Sequence, residues 1–262
     1  MSWTRIGAII QKSWYNSQRD VFRLFDIFFW PAFSLFVWGL FAGYLSQTAV
    51  GGVNILFLLL GAVILWTFFD RASKDISLAM IDELWNRNFV SLFSTPLTVG
   101  EYLVGVTVVA AIKLIISMVF MLFLASMLYG FQITSLGLYW IPAAVGLTIF
   151  GWSLSLLVQA CIIRFGHTVE VFIWAIAVMI QPLSCVFYPL TALPAWAQTL
   201  ALGLPSTYLF ENMRTTMAGG AVRLDQLVIS FSLNILYFLL SLLFFYRSFD
   251  RAKVKGNLIK NY

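Results

Sequence analysis

The chain has 262 residues, 61% of them hydrophobic, 17% aromatic and only 10% charged, with a formal net charge of +5. A soluble globular domain carries roughly 25% charged residues. This balance, with a mean hydropathy of +0.90, excludes an ordinary soluble domain and predicts one all-α polytopic membrane domain over 1–262. The basic residues flank apolar runs, so the membrane accounts for the positive charge and nucleic-acid binding is not expected.

Residues 1–23 come first. Trp3, Ile6, Gly7, Ile10 and Trp14 recur at helical spacing on one face, with Arg5, Lys12 and Arg19 off it. The pattern predicts an amphipathic helix lying on the membrane surface. It is not a secretory signal, because no small-residue cleavage pattern follows the first apolar run.

A bilayer core takes about 20 apolar residues in a helix. Six stretches meet or approach that, at 24–45, 53–69, 102–128, 136–163, 169–188 and 227–245. Backbone groups in lipid must bond internally, and these runs are apolar on all sides, so six transmembrane helices are expected rather than a barrel. Lys and Arg fix the orientation. Thirteen of them lie in the two termini and the second and fourth connections, and only Arg214 and Arg223 lie on the other side. Both termini are therefore expected in the cytoplasm, with the protein in a plasma membrane, a bacterial or archaeal inner membrane. Tyr44, Tyr129, Tyr139, Trp140, Tyr188 and Trp196 fall at the expected outer boundary, and Trp3, Trp14, Trp85, Tyr102 and Tyr246 at the inner one. Such rings prefer interfaces.

Between the second and third spans lies a charged segment, 70–101. Within it Ile81, Leu84, Trp85, Phe89, Leu92 and Phe93 form a helical stripe, with Asp82, Glu83, Asn86 and Arg87 mostly off it. Ser94-Thr95-Pro96 then breaks the helix. An amphipathic helix over 81–93 can rest on the membrane or dock in a partner's groove. Pattern alone does not choose.

The third span holds Lys113, about 11 residues in, which at roughly 1.5 Å per residue is near the bilayer midplane. A charge at that depth is a functional candidate by default. It faces a translocation path or protomer interface, or else a neighbouring span. Asp26 and Glu170 sit near inner span ends, too far in depth to pair with it readily. Gln159, Gln181 and Asn234 are neutral polar residues within spans that either meet substrate or join helices. Cys161 and Cys185 fall near opposite ends of neighbouring spans, so no bridge is expected. His167 stands alone in a turn, so no metal site is expected.

The outer segment, 189–226, carries Pro189, Pro194, Trp196 and Pro205 around two apolar pieces too short to span. They predict half-helices that dip into the outer leaflet and return, or else an apolar external loop. A basic tail, 247–262, closes the sequence with Arg247, Arg251, Lys253, Lys255 and Lys260. There is no G-x-x-x-x-G-K-[ST] loop and no Ser/His/Asp or Cys/His set, so this chain is not expected to be an enzyme.

Several blocks together resemble the permease subunits of type-2 ATP-binding-cassette exporters. They are Arg19-Asp20-Val21-Phe22-Arg23 with Trp30-Pro31; then Glu83-Leu84-Trp85-Asn86-Arg87-Asn88, Ser94-Thr95-Pro96-Leu97 and Glu101-Tyr102; and last Tyr188-Pro189-Leu190, Leu193-Pro194-Ala195-Trp196, Leu204-Pro205-Ser206-Thr207-Tyr208 and Glu211-Asn212-Met213-Arg214. The resemblance implies a half-transporter that pairs with a second permease copy and docks two cytoplasmic ATPase subunits. ATP and Mg would bind the partner, and no cofactor would bind this chain. Asp82, Glu83, Leu84, Trp85, Asn86, Arg87 and Phe89 would form a coupling helix. Substrate would pass between protomers, with Lys113, Gln159, Gln181 and Asn234 as path candidates, and the outer prolines and Trp196 would gate the exit. An amphiphile is the implied cargo: a drug-like compound, a lipid or a lipid-linked glycan. Asp20 and Asp26 interrupt the more basic approach to the first span found in members that export lipid-linked polysaccharides. The competing readings are an ATP-independent transporter or channel, and a membrane scaffold. Against the former, no paired ion-coupling residues or two-half repeat is evident.

Overall fold

The computed structural model describes residues 1–48, 54–86 and 88–255. Val53, Arg87 and Lys260 lie outside the described residues, as do the side chains of Phe89, His167 and Lys255. Among the described residues every regular element is a helix: α1 (Trp3–Arg19), α2 (Val21–Thr48), α3 (Ile55–Trp85), α4 (Asn88–Phe93), α5 (Val99–Tyr129), α6 (Trp140–Phe165), α7 (Val171–Leu183), α8 (Ala195–Leu202), α9 (Pro205–Met217) and α10 (Leu224–Lys255). Short 3-10 turns join some of them.

Five helices, α2, α3, α5, α6 and α10, are long and apolar enough to cross a membrane. The expected fifth span is the exception. Its helix, α7, has 13 residues, about 20 Å at 1.5 Å per residue, whereas a hydrocarbon core is about 30 Å thick. Pro182 stands in its last turn, Ser184 caps it, and Cys185 turns the chain at φ 54°. The apolar run continues to Tyr188, but the helix does not.

α3 and α6 form the centre. Leu60, Ile64 and Phe69 on one and Leu147 and Phe150 on the other are buried. Gly151 brings the two backbones into contact, since a Cβ there would lie 2.7 Å from both Phe69 O and Ala72 Cβ. Farther along, the Ser77 and Ser155 hydroxyls share a 2.8 Å hydrogen bond. Small residues and short polar links are how helices associate without a hydrophobic driving force. α2 and α5 pack on α3, and α10 packs on α6.

α1 lies along α5, and its packed face shares Ile6 with the expected stripe but leaves Trp3 out. Ile6, Ile9 and Ser17 are buried, while Trp3 is exposed. Gly105 of α5 makes room for Ile9, whose Cγ2 would stand 2.6 Å from an added Cβ. α5 begins at Val99 with a capping box, Thr98 with Glu101. α10 runs on to Lys255, so Arg247, Arg251 and Lys253 of the expected tail continue the last helix.

Candidate functional site

At its charged end α3 continues unbroken through Trp85. There the Asn86 side chain donates to Asp82 O at 2.8 Å and the helix stops. The stripe expected as one helix over 81–93 is therefore divided between α3 and α4. Ile81 and Leu84 are buried with Leu103, Leu156 and Phe245. Glu83 is buried and pairs with Lys12 of α1 at 2.6 Å, and Asp82 pairs with Arg23 of α2. Of the residues expected to face a partner, the described structure exposes Trp85 and Asn86. The far end of the same segment is tied back as well. Glu101 accepts from Ser2 N at 2.6 Å and pairs with Arg5 at 3.5 Å, and Arg5 also donates to Pro96 O.

A layer of charge crosses the bundle just inside that end. Arg71 pairs with Asp26 at 2.6 Å and with Asp75 at 3.0 Å; Arg23 pairs with Asp20 at 3.1 Å, and Lys74 with Asp70 at 2.6 Å. Charges in helices of this kind are costly unless paired. Lys113 is 7% exposed, and among the described residues it has no ion pair or hydrogen bond. It lines a cavity of about 230 Å³ with Asp26, Arg71, Asp75 and Asp82. Asp75 and Asp82 lie well past Phe69, the expected inner limit of the second span. Lys113 thus shares the level of the charged layer.

Between α2, α3 and α7 runs a larger groove of about 380 Å³, walled by Trp30, Trp38, Trp66 and Trp174. Gln181 lines it, and Asp26, Asp70, Arg71 and Lys74 line it too. The four expected path residues are therefore not gathered: Lys113 is in the charged cavity and Gln181 in the groove. Asn234 donates to Gly146 O at 3.1 Å across the α6–α10 contact. Gln159 is wholly buried on α6, with both amide atoms unpartnered among the described residues.

At the opposite end Pro189 precedes a 3-10 turn, Pro194 caps α8, and Pro205 opens α9. Trp196 is exposed. Arg214 of α9 organises this block. It donates to Cys185 O and to Tyr188 O and pairs with Glu211 at 3.1 Å, while Glu211 accepts from Leu190 N at 2.8 Å. Two carbonyls of the turn that follows α7 are thereby satisfied, as a low-dielectric setting requires. Burial pushes the Arg214 guanidinium below its ordinary pKa, and Glu211 pushes it back up. Asn212 bonds both N–H and C=O of Arg223, folding the chain into α10. The sequence pointed to 211–214 only through the resemblance; an Arg/Glu pair at i,i+3 within an apolar block was the signal.

Five crossing helices around a polar layer and a groove define a multi-pass membrane protein. The sequence matches the ABC-2 type transporter family over residues 4–218, and the chain belongs to that family. It is a permease component of a transporter, in a family that generally works with an ATPase partner. No curated protein matches it.

Proposed function

We propose that this chain is the membrane-spanning subunit of an exporter that moves an amphiphile out of the cytoplasm, driven by separate ATPase subunits and working as a pair of permeases. The cargo class is a drug-like compound, a lipid or a lipid-linked glycan. The charged end faces the cytoplasm of a plasma membrane, and α1 lies on that surface. The block 189–226 closes the exit, and α7 crosses with the help of the turns that flank it.

One observation carries the reading. α3 is a single 31-residue helix, about 46 Å long at 1.5 Å per residue, that passes through the buried centre and ends at the exposed Trp85. A stiff rod fastened to α1 and α2 at its tip turns a push there into movement of the groove wall, which biases one arrangement of a two-state element. Trp85 and Asn86 offer the ATPase an aromatic anchor and a polar contact, while Asp82, Glu83 and Leu84 hold the tip to the bundle. ATP and Mg belong to the partner.

The test is to purify the permease from cells of its native host, which supply their own Walker-motif ATPases. The permease and an ATPase are expected to copurify, and inside-out vesicles are expected to accumulate an amphiphilic dye only with ATP. A permease that never retains an ATPase, with dye movement independent of ATP, overturns the reading.

A further inference from the structure

The tryptophan groove has a chemistry of its own. α3 forms its floor with Trp66, and α2 and α7 form its walls with Trp30, Trp38 and Trp174. The polar residues at its charged end are not equally presented. The Asp26 and Asp70 side chains are 25% and 29% exposed, against 6% for Arg71 and 16% for Lys74. Each carboxylate spends one oxygen on its ion pair, and the other has no partner among the described residues. The cations behind them are already neutralised, Arg71 by two carboxylates and Lys74 by one. A charged group entering the groove therefore meets carboxylate oxygen first. The groove also holds a cation of its own in this manner, because the Lys74 ammonium stands 4.9 Å from the centre of the Trp174 ring while paired to Asp70. Tryptophan faces attract cations best among side-chain rings, and more so when water is excluded.

We propose that this groove binds hydrophobic organic cations, with the tryptophan rings around the apolar body and Asp26 and Asp70 facing the charge. The inference rests on the transport reading and gives it a ligand class. An anionic amphiphile is disfavoured, since Arg71 and Lys74, the cations that line the groove, are paired and recessed.

Binding is measured on the full-length permease in phosphatidylcholine nanodiscs, with no ATPase and no ATP. The probe is tetraphenylphosphonium, and the control is tetraphenylborate, an anion of nearly the same size. Relative to empty nanodiscs, which take up both ions and the anion more strongly, saturable excess binding of the cation is expected and none of the anion. Asp70→Asn and Trp30→Leu are each expected to weaken it about fivefold, the scale of one partly exposed cation–π or charge contact. Trp30 is 53% exposed, so its substitution keeps the test decisive should Asp70→Asn fail to fold. The proposal is overturned if the anion shows equal saturable binding above empty nanodiscs, if the cation does not saturate, or if Trp30→Leu leaves its binding unchanged. Such a failure leaves ATPase copurification and ATP-driven transport intact, whereas failure of those leaves the binding curve unchanged.

Discussion

Lys12 Nζ lies 2.6 Å from the Glu83 carboxylate, joining α1 to the last turn of α3. Glu83 is buried, so removing Lys12 strands a charge with little water to replace its partner. Lys12→Met is expected to cost about 1–3 kcal/mol, the range for a buried group left unsatisfied. Exchanging the two residues, Lys12→Glu with Glu83→Lys, is expected to recover part of that loss. A double-mutant cycle on thermal unfolding in detergent checks both. Additive effects in the cycle contradict the pairing.

Leu84 and Trp85 are adjacent in sequence and opposite in role. Leu84 is 2% exposed and Trp85 55%. Leu84→Ala is expected to destabilise the fold by about 2–5 kcal/mol, as buried leucines do. Trp85→Ala is expected to leave unfolding within about 0.5 kcal/mol and to lower recovery of the ATPase on purification. Equal ATPase recovery with and without Trp85 removes this residue from the docking surface.

Gly151 is where α3 and α6 touch. A side chain there meets backbone, Phe69 O at 2.7 Å and Ser73 N at 2.9 Å, which cannot swing aside. Gly151→Ala is expected to cost about 1–3 kcal/mol by overpacking, and Gly151→Leu to prevent stable folding. Size-exclusion profiles with fluorescence detection rank the variants. A Gly151→Leu protein that elutes as the native one does contradicts the packing.

The sequence made the helices visible because their apolar runs are long, and it blurred their ends. Hydropathy counts Ser184, Cys185 and Val186 with the fifth run, although Pro182 and the positive φ at Cys185 end the helix first. The stripe over 81–93 keeps its period across a break, because periodicity does not register that Asn86 bonds back to Asp82. Ion pairs between distant helices, such as Asp26 with Arg71, leave no local mark. The same holds for Asp82 with Arg23 and Glu83 with Lys12, whose pairing the local sequence does not show. The position of Lys113 along its own helix does not show what sits beside it, which depends on how far α3 extends.

Arg214 holds the turn after α7 through Cys185 O and Tyr188 O. Its removal frees two carbonyls and the Glu211 carboxylate together. Arg214→Gln is expected to cost roughly 2 kcal/mol or more, and Arg214→Lys to recover little, because one ammonium cannot reproduce the guanidinium fork. Hydrogen exchange across 184–192 is expected to quicken in both variants while exchange in α3 stays slow. Unchanged protection of Leu190 N–H, which Glu211 holds, goes against the clip.

Lys113 is the charged-layer cation that makes no ion pair among the described residues, in a cavity with Asp26, Asp75 and Asp82. Its removal breaks no direct bond, so Lys113→Met, of similar length, is expected to assemble with the ATPase and to unfold within about 1 kcal/mol of the native protein. The cavity it leaves is more acidic, and the balance of charge facing α2 and α3 changes with it. ATP-driven dye accumulation is expected to fall about tenfold, equivalent to roughly 1.4 kcal/mol in the rate-limiting barrier. Lys113→Arg is expected to restore most of the rate because it restores the charge. Transport at the native rate in Lys113→Met, with ATPase stimulation intact, assigns Lys113 a packing role only.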